Sequence, residues 1–294
     1  MNKTLPKVSI ILPTYNGADY IHESIGSCLN QTYKNLELII VDDGSTDGTD
    51  KIVNDYKDNR INVIKNKNNK GLPNALNIGF SQASGDFLTW TSDDNMYDKE
   101  AIEKMLHFLI EKKCSFVYCN YYKFTDPESR SIVNLPEKVC LETGNMIGPC
   151  FMYSRKVMES IGEYDPVTEL AEDYDFWIRV AKVFSMEHIS EPLYFFRVHG
   201  ESLSKSKYYE VLTVGFLVML KNNISSIDHV TDLFLDLIRQ KKEGLIRPFI
   251  LIKILYTSKI KRILREYESG ILNFNMAKLD LYNIVFSKIP HTRY

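Results

Sequence analysis

Several signals that commonly identify a class of protein are absent from this chain of 294 residues. Neither G-x-G-x-x-G nor G-x-x-x-x-G-K-[ST] follows a strand-like run, so the glycine-rich phosphate loops of dinucleotide dehydrogenases and P-loop enzymes are missing. No uncharged apolar stretch approaches the ~20 residues needed to cross a bilayer. The first apolar run ends at Pro13 without a small-residue cleavage site, so no signal peptide is expected.

Charge and cysteine content exclude further classes. The formal net charge is −2, which gives no reason to expect nucleic-acid binding. The five cysteines form no C-x-x-C pair with a matching Cys or His pair, so we interpret them as reduced thiols of a cytoplasmic protein and not as a zinc site or disulfide framework. The 44% hydrophobic content supports a sizeable core, and the length suits about two domains.

Apolar runs alternate with helix-spaced apolar residues over the first third of the chain. Each run is short, and each of the intervening segments has its apolar residues on one helical face. Four strands alternating with four helices in ~110 residues predict right-handed βαβ units and a mainly parallel sheet. The predicted strands are Val8 to Leu12, Leu36 to Val41, Ile61 to Ile64 and Asp86 to Thr91.

Three of these strands end in polar residues, and in a parallel sheet those ends share the edge where open α/β sheets bind ligands. Tyr15 is suited to stacking on a base, and Asp43 to accepting from a ring N–H or a ribose hydroxyl. Asp93 and Asp94 are suited to holding Mg²⁺ or Mn²⁺ on phosphates. Taken singly, each has a simpler structural explanation as a packed aromatic, a helix cap or a turn residue. Their joint occurrence favours a nucleotide site.

Two later segments carry further candidates. Glu172, Asp173 and Asp175 open a helix with an apolar face, and three acids in a first turn are equally explained by the helix dipole. The predicted strand from Glu191 ends in Arg197 and His199 (EPLYFFRVHG). A lone His is more often structural, but one that follows a strand and an Arg suits a phosphate or metal edge.

In this order, the motifs resemble those of family 2 glycosyltransferases of the GT-A fold. The matching segments lie between residues 7 and 205 and are VSIILPTYNG, LELIIVDDGSTDGT, NNKGLPNALNIG, GDFLTWTSDDNMY, AEDYDFWIRVA and YFFRVHGESLS. The resemblance implies an α/β protein with a Rossmann-like, mainly parallel sheet flanked by helices. It also implies an inverting transferase that moves a sugar from a nucleoside diphosphate, expected to be UDP, to an acceptor hydroxyl with Mn²⁺ or Mg²⁺.

The resemblance also implies site residues. By position, it places nucleotide-sugar binding at Pro13, Thr14, Tyr15, Asn16, Asp43, Lys70 and Asp93, metal binding at Asp93, Asp94 and His199, and the general base at Asp173. The chain departs from the family at Thr91, where many members have the first acid of Asp-x-Asp. Which of Asp93 and Asp94 binds the metal and which the ribose therefore stays open.

Beyond the family motifs the pattern becomes helical, and we predict a catalytic domain at 1–207 followed by a helical region at 208–294. Basic residues are frequent between 239 and 265 and surround the apolar run LIRPFILIKILY. This mixture suits a helix at an anionic membrane surface, and it equally suits a helix packed on the catalytic domain or a contact in a homo-oligomer.

The resemblance, together with the basic segment, implies a cytoplasmic sugar transferase that builds a surface polysaccharide or glycan, with peripheral attachment to the inner membrane face and a glycan or lipid-linked acceptor. A catalytically silent binding or scaffold subunit with the same fold is the alternative from another class. A nucleotidyltransferase on a related fold would need a loop rich in glycine and arginine after the first strand, and PTYNGADY is not one.

Overall fold

The computed structural model describes residues 5–126, 129–200, 202–241 and 249–286. The chain divides into two compact units, one formed by Met1–Pro166 with Phe176–Gly200 and the other by Val167–Asp175 with Glu201–Tyr294. The division into 1–207 and 208–294 stays a prediction.

The first unit contains a nine-stranded sheet. Its order is β3-β2-β1-β4-β8-β6-β9-β5, with β7 paired to β6. The strands are β1 (Val8–Thr14), β2 (Leu36–Asp42), β3 (Ile61–Lys65), β4 (Phe87–Trp90), β5 (Met96–Tyr97), β6 (Phe116–Phe124), β7 (Arg130–Val133), β8 (Phe151–Ser154) and β9 (Glu187–Arg197).

The four strands predicted first form a parallel block with β1 at its centre. β1 pairs in parallel with β2 on one side and with β4 on the other, and β2 pairs in parallel with β3. Every residue of β1 is buried. A strand covered on both faces has no solvent side, which explains why its sequence is an almost continuous apolar run and does not alternate.

Helices cover both faces of this block. The helices of the first unit, the last of which begins in the second unit, are α1 (Ile21–Leu29), α2 (Thr49–Asp55), α3 (Leu72–Gln82), α4 (Ala101–Lys112), α5 (Arg155–Ile161) and α6 (Glu172–Ala181). Ile25 of α1 and Ile102 of α4 share one core with Ile10 of β1. On α3, a Cβ at Gly79 would lie 2.3 Å from Ile11 Cγ2, so glycine is what permits this helix to pack so closely on the sheet.

The remaining strands form a mixed half that the sequence pattern described less completely. β8 is antiparallel to β4 and to β6, β9 is parallel to β6, and the short β5 is antiparallel to β9. Neither β5 nor β7 was predicted, because two and four residues carry too little periodicity. Aromatic rings fill this half, and Trp177 of α6 packs edge-on against Phe151 with centroids 4.6 Å apart.

The second unit is helical in its described part, which confirms the predicted C-terminal helical extension. Its helices are α7 (Leu203–Ser206), α8 (Tyr208–Lys221), α9 (Ile227–Lys241), α10 (Phe249–Glu268) and α11 (Phe274–Phe286). Leu217, Phe234, Ile260 and Leu281 are among its fully buried side chains. Among the described helices, none combines the length and the apolarity that crossing a membrane requires.

Candidate active site

The predicted polar strand ends lie side by side in the first unit. Because β1 is hydrogen-bonded to β2 and to β4 in parallel register, the loops that follow these three strands emerge at one edge of the sheet. Thr14 ends β1, and the loops after β2 and β4 carry Asp43 and the pair Asp93 and Asp94. The structure thus brings together the acids that the sequence separates by about fifty residues, as the βαβ pattern predicts.

The loop after β1 is tied to the loop after β2 by several hydrogen bonds. Asn16 Oδ1 accepts the Thr46 N–H at 2.8 Å, and the Asn16 N–H donates to Ser45 Oγ at 2.9 Å. Asn16 has a φ of 56°, a left-handed conformation that Asn tolerates better than most residues. Its side chain therefore holds the two loops together, while the neighbouring Tyr15 is 49% exposed. Pro13 lies buried in β1 opposite Val41.

Asp43 is buried and organises the loop that precedes α3. Its Oδ1 accepts from Asn66 Nδ2 at 2.7 Å, and its Oδ2 accepts the N–H groups of Lys70 and Gly71 at 2.8 and 3.0 Å. Each carboxylate oxygen has two lone pairs, so Oδ1 retains one for a ligand. The structure places Lys70 beside Asp43 through its backbone, and the Lys70 side chain is exposed.

Asp93 is held against the first loop. Thr14 Oγ1 donates to Asp93 Oδ2 at 2.5 Å, and a Cβ at Gly17 would lie only 2.1 Å from the same oxygen. Burial raises the pKa of Asp93 to about 6, the Thr14 hydrogen bond opposes this rise, and the charge of Asp94 adds to it. Glycine at position 17 is thus required for the carboxylate to approach the backbone so closely.

Asp94 differs from Asp93 in having one oxygen without a partner. Its Oδ2 lies 3.0 Å from His199 Nε2, whereas its Oδ1 is buried and has no hydrogen-bond partner. The structure thereby joins His199, two residues after the end of β9, to an acid 105 positions earlier in the chain. A buried carboxylate oxygen that is left unpaired is costly, which marks a place for a further donor or a cation.

Thr91, where many family members have an acid, points into the protein. It is buried, and its Oγ1 lies 2.6 Å from Tyr194 Oη. The residue at the first position of the family motif is thus hydrogen-bonded inside the core of this chain. The acids that follow β4 and could bind a ligand are Asp93 and Asp94.

Among the residues that the structure describes, no three His, Cys, Asp or Glu side chains form a group that could hold a metal ion. Two features nevertheless fit a hard divalent cation. The unpaired Asp94 Oδ1 is an oxygen ligand of the kind that Mg²⁺ and Mn²⁺ prefer. In addition, such ions are usually held by one or two carboxylates together with substrate phosphates and waters, and not by a cage of protein ligands.

The acids of α6 belong to the second unit and have distinct environments. Glu172 Oε2 accepts the Leu170 N–H at 2.8 Å, and burial raises the pKa of Glu172 to about 8, with the charge of Asp173 acting in the same direction. Asp175 is fully buried and accepts from Lys221 Nζ at 2.6 Å and Asn222 Nδ2 at 2.8 Å. Asp173 is the member of this group that remains half-buried, and its Oδ1 accepts the Tyr174 N–H at 2.7 Å.

The site contains residues that the sequence pattern did not identify. Asn66 supports Asp43, Asn95 accepts the Arg197 N–H, and Glu23 on α1 pairs with the Arg197 side chain. Arg197 stood out only because it ends a strand two residues before His199. The others lie far along the chain from the residues they contact and carry no local signal.

The basic residues of the second unit are partly paired. Lys261 Nζ lies 2.6 Å from Asp228 Oδ1, and Arg239 lies 3.5 Å from Asp236 Oδ1. The part of the basic segment at 242–248 lies outside the described residues. On α10, three basic side chains three residues apart are exposed, namely Lys259, Arg262 and Arg265.

Comparisons with known proteins agree with this fold and identify the family. Solved structures with the same fold include S. aureus TarS 1-349 in complex with UDP-GlcNAc, with TM-score 0.61 and 20% identity over 94% of this chain and 91% of that one. The mannosyltransferase PcManGT from Pyrobaculum calidifontis, in complex with GDP-Man and Mn²⁺, matches with TM-score 0.60 and 16% identity over 97% and 88% of the two chains. These likenesses confirm the GT-A type α/β fold.

Residues 9–162 match the family model described as Glycosyl transferase family 2. The chain belongs to this family and is a glycosyltransferase. An uncharacterized glycosyltransferase of Rickettsia typhi, RT0329, is 34% identical over 88% of this chain and 87% of its own length. WfaP of Escherichia coli, a UDP-Glc:alpha-D-GlcNAc-diphosphoundecaprenol beta-1,3-glucosyltransferase, is 33% identical over 70% and 82%. TuaG of Bacillus subtilis, a putative teichuronic acid biosynthesis glycosyltransferase, is 31% identical over 71% and 85%.

Proposed function

We propose that this chain is an inverting glycosyltransferase that transfers a sugar from a UDP-sugar to a hydroxyl of a lipid-linked glycan during surface polysaccharide synthesis. WfaP supports the donor and the acceptor, because its name includes UDP-Glc and a diphosphoundecaprenol-linked sugar. TarS, which was solved with UDP-GlcNAc, likewise supports uridine as the nucleoside of the donor. PcManGT was solved with GDP-Man, so a guanosine donor is the competing choice that the test must include.

The observation that carries the proposal is the unpaired oxygen of Asp94 beside His199. We propose Asp94, with His199, as the residues that hold Mn²⁺ or Mg²⁺. The metal would neutralise the negative charge that develops on the departing diphosphate. Asp93 is less suited to this task, because Thr14 already donates to its Oδ2 and that oxygen is close to the Gly17 backbone. We assign Asp93 to the ribose.

The nucleoside would bind across the first two loops. Tyr15 offers an exposed ring for the base, and the lone pair that Asp43 Oδ1 retains can accept a ring N–H. Pro13, Thr14 and Asn16 would shape this cleft through the backbone and the bonds between the loops. The exposed ammonium of Lys70 is suited to a phosphate oxygen.

The transfer itself would be a single in-line displacement with Asp173 as general base. Asp173 would accept the proton of the acceptor hydroxyl as its oxygen bonds to the anomeric carbon. The bond from that carbon to the diphosphate oxygen would break at the same time, and UDP would leave with the electron pair. One displacement inverts the anomeric centre, and a base positioned for the acceptor proton is typically worth 10²- to 10⁴-fold in rate.

The test is a thermal-shift panel of UDP, GDP and their sugars with and without Mn²⁺, followed by NMR of the anomeric proton of the product. We expect stabilisation by UDP and a UDP-sugar that increases with Mn²⁺, and a product of inverted configuration. Stabilisation by GDP-sugars alone would contradict the donor assignment. A product of retained configuration would contradict the displacement mechanism.

We also propose peripheral attachment to an anionic membrane through the basic face of α10. Lys259, Arg262 and Arg265 are exposed and three residues apart, so they project from one side of the helix. At roughly 1 kcal/mol for each basic residue near the surface, three such residues would raise membrane affinity on the order of 10²-fold.

Flotation with phosphatidylglycerol vesicles tests this attachment. We expect binding that weakens with added salt and is lost when the three residues are replaced together by Gln. The same replacements should leave donor binding unchanged. Binding that is equally strong in the triple variant would contradict the attachment through α10.

A further inference from the structure

Arg197 makes three hydrogen bonds that connect the end of β9 to the candidate metal site and to helix α1. It is the last residue of β9, and its side chain is 10% exposed. Its Nε–H donates to the backbone carbonyl of Asp94 at 3.0 Å, and its Nη2 donates to Glu23 Oε2 at 2.9 Å. Its backbone N–H donates to Asn95 Oδ1 at 2.8 Å. One residue thus contacts the loop after β4 twice and helix α1 once.

Two aromatic rings also pack against the Arg197 guanidinium. The guanidinium carbon lies 4.6 Å from the ring centroid of Tyr20 and 4.7 Å from that of Phe124. The Tyr20 ring is in turn 5.0 Å from the His199 ring. Tyr20 therefore contacts both the residue that holds the Asp94 backbone and the residue that pairs with the Asp94 side chain.

Only arginine can make this set of contacts. Its planar guanidinium directs donors along two edges while its flat faces accept aromatic rings, whereas the lysine ammonium is a compact point charge on a flexible stem. The carbonyl of Asp94, the carboxylate of Glu23 and the Tyr20 ring lie in different directions around it. A lysine at this position would lack both the planar fork and the flat face, so it could not keep all of these partners at once.

We propose that Arg197 is a positioning residue that fixes the Asp94 backbone and the adjoining His199, so that the unpaired Asp94 Oδ1 is held in place for the metal. This inference rests on the proposed function, in which Asp94 and His199 hold Mn²⁺ or Mg²⁺. Groups that orient metal ligands without touching the metal commonly affect metal affinity by 10- to 100-fold.

The chain offers a matched control in Arg155. This residue donates to backbone carbonyls before β4, whereas Arg197 donates to a backbone carbonyl after β4. Arg155 Nε donates to the carbonyl of Gly85 at 2.8 Å, and its Nη2 donates to that of Ala83 at 2.9 Å. Both carbonyls precede β4, whereas Asp94 follows it. Each arginine therefore secures one end of β4, and only Arg197 does so beside the unpaired acid.

The experiment compares Arg197→Lys with Arg155→Lys by calorimetric titration of Mn²⁺ in the presence of UDP, with thermal unfolding measured for both. We expect both variants to lose some thermal stability. Only Arg197→Lys should raise the dissociation constant of Mn²⁺ by 10- to 100-fold. A purely structural role would alter stability in both variants and leave the Mn²⁺ constant of Arg197→Lys within twofold of the wild type, and that result would overturn the inference.

Glu23→Ala provides a second variant in case Arg197→Lys does not fold. The Glu23 side chain is 50% exposed, so its removal is readily tolerated. It leaves Arg197 without its carboxylate partner, and we expect a severalfold weaker binding of Mn²⁺. Unchanged Mn²⁺ binding in folded Glu23→Ala, or an equal loss in Arg155→Lys, would also overturn the inference. Wild-type protein that binds no Mn²⁺ with UDP would instead contradict the proposed metal together with this inference.

Discussion

The two groups of neighbouring acids in this protein differ in what their oxygens contact. Asp93 and Asp94 follow a parallel strand, and one oxygen of Asp94 is buried without a partner. In the first turn of α6, Glu172 is bonded to the Leu170 N–H and Asp175 is bonded to Lys221 and Asn222. Counting acids in a motif therefore does not identify the functional ones. The hydrogen-bond partners of each oxygen distinguish acids that stabilise the fold, such as Asp175, from acids with an oxygen that can still bind a ligand, such as Asp94.

The largest effect is expected from Asp173→Asn, which tests whether the half-buried acid of α6 acts as the general base. The substitution keeps the shape and removes the basicity, so turnover should fall by roughly 10²- to 10⁴-fold. Donor affinity should change little, because the donor is assigned to the first unit. The measurement is steady-state transfer together with UDP-sugar binding by calorimetry. Near-normal turnover in this variant would show that Asp173 is not the base.

Asp94→Asn is expected to have the next largest effect, because it neutralises the carboxylate whose oxygen is unpaired. Loss of a metal ligand should cost about 3 kcal/mol of donor binding in Mn²⁺, which is on the order of 10²-fold. Donor binding measured with excess chelator should be the same in the variant and the wild type. Asp93→Asn is the matched comparison, and a larger loss of Mn²⁺ dependence there would reverse the assignment of the two acids.

Asp175→Ala should reduce stability without a specific effect on chemistry. It removes the buried partner of Lys221 and Asn222. Breaking a buried ion pair in this way costs about 3 kcal/mol at the lower end of the usual range. The lower end applies here because the Lys221 side chain is 25% exposed. Denaturant unfolding measures the loss. Asp236→Ala in the same unit removes a half-exposed carboxylate 3.5 Å from Arg239 and should change stability by only about 0.5 kcal/mol. Equal losses of stability in the two variants would contradict the distinction between the buried and the half-exposed ion pair.

The last prediction concerns the pH dependence of stability that Glu172 contributes. Its pKa is raised from 4.5 to about 8, so the folded state binds more protons than the unfolded state between these values. Stability should therefore decrease as the pH rises through this window. Glu172→Gln keeps a carbonyl that can accept the Leu170 N–H and removes the titration, so its stability relative to wild type should increase from pH 4.5 to pH 8. A constant difference across this range would contradict the raised pKa.

The sequence alone was sufficient for the parallel block and for the identity of its polar strand ends. Val8 to Leu12 and Leu36 to Val41 are almost continuously apolar because both faces of those strands are covered, and this is a local signal that a sequence displays directly. The right-handed βαβ rule then places the loops after β1, β2 and β4 at one edge. The C-terminal helices also followed from periodicity. By contrast, the two-residue β5 became visible only through its pairing with β9.

Only the tertiary structure decided which oxygens and donors meet. Thr14 and Asp93 are 79 positions apart, and Arg197 and Glu23 are 174 positions apart, so no local pattern relates them. Register decides these contacts, because a shift of one residue in a strand turns every side chain to the other face. The burial of Thr91 against Tyr194 and the unpaired oxygen of Asp94 depend on that register. A sequence specifies which residues are available, whereas the packed sheet determines which of their polar atoms are already satisfied.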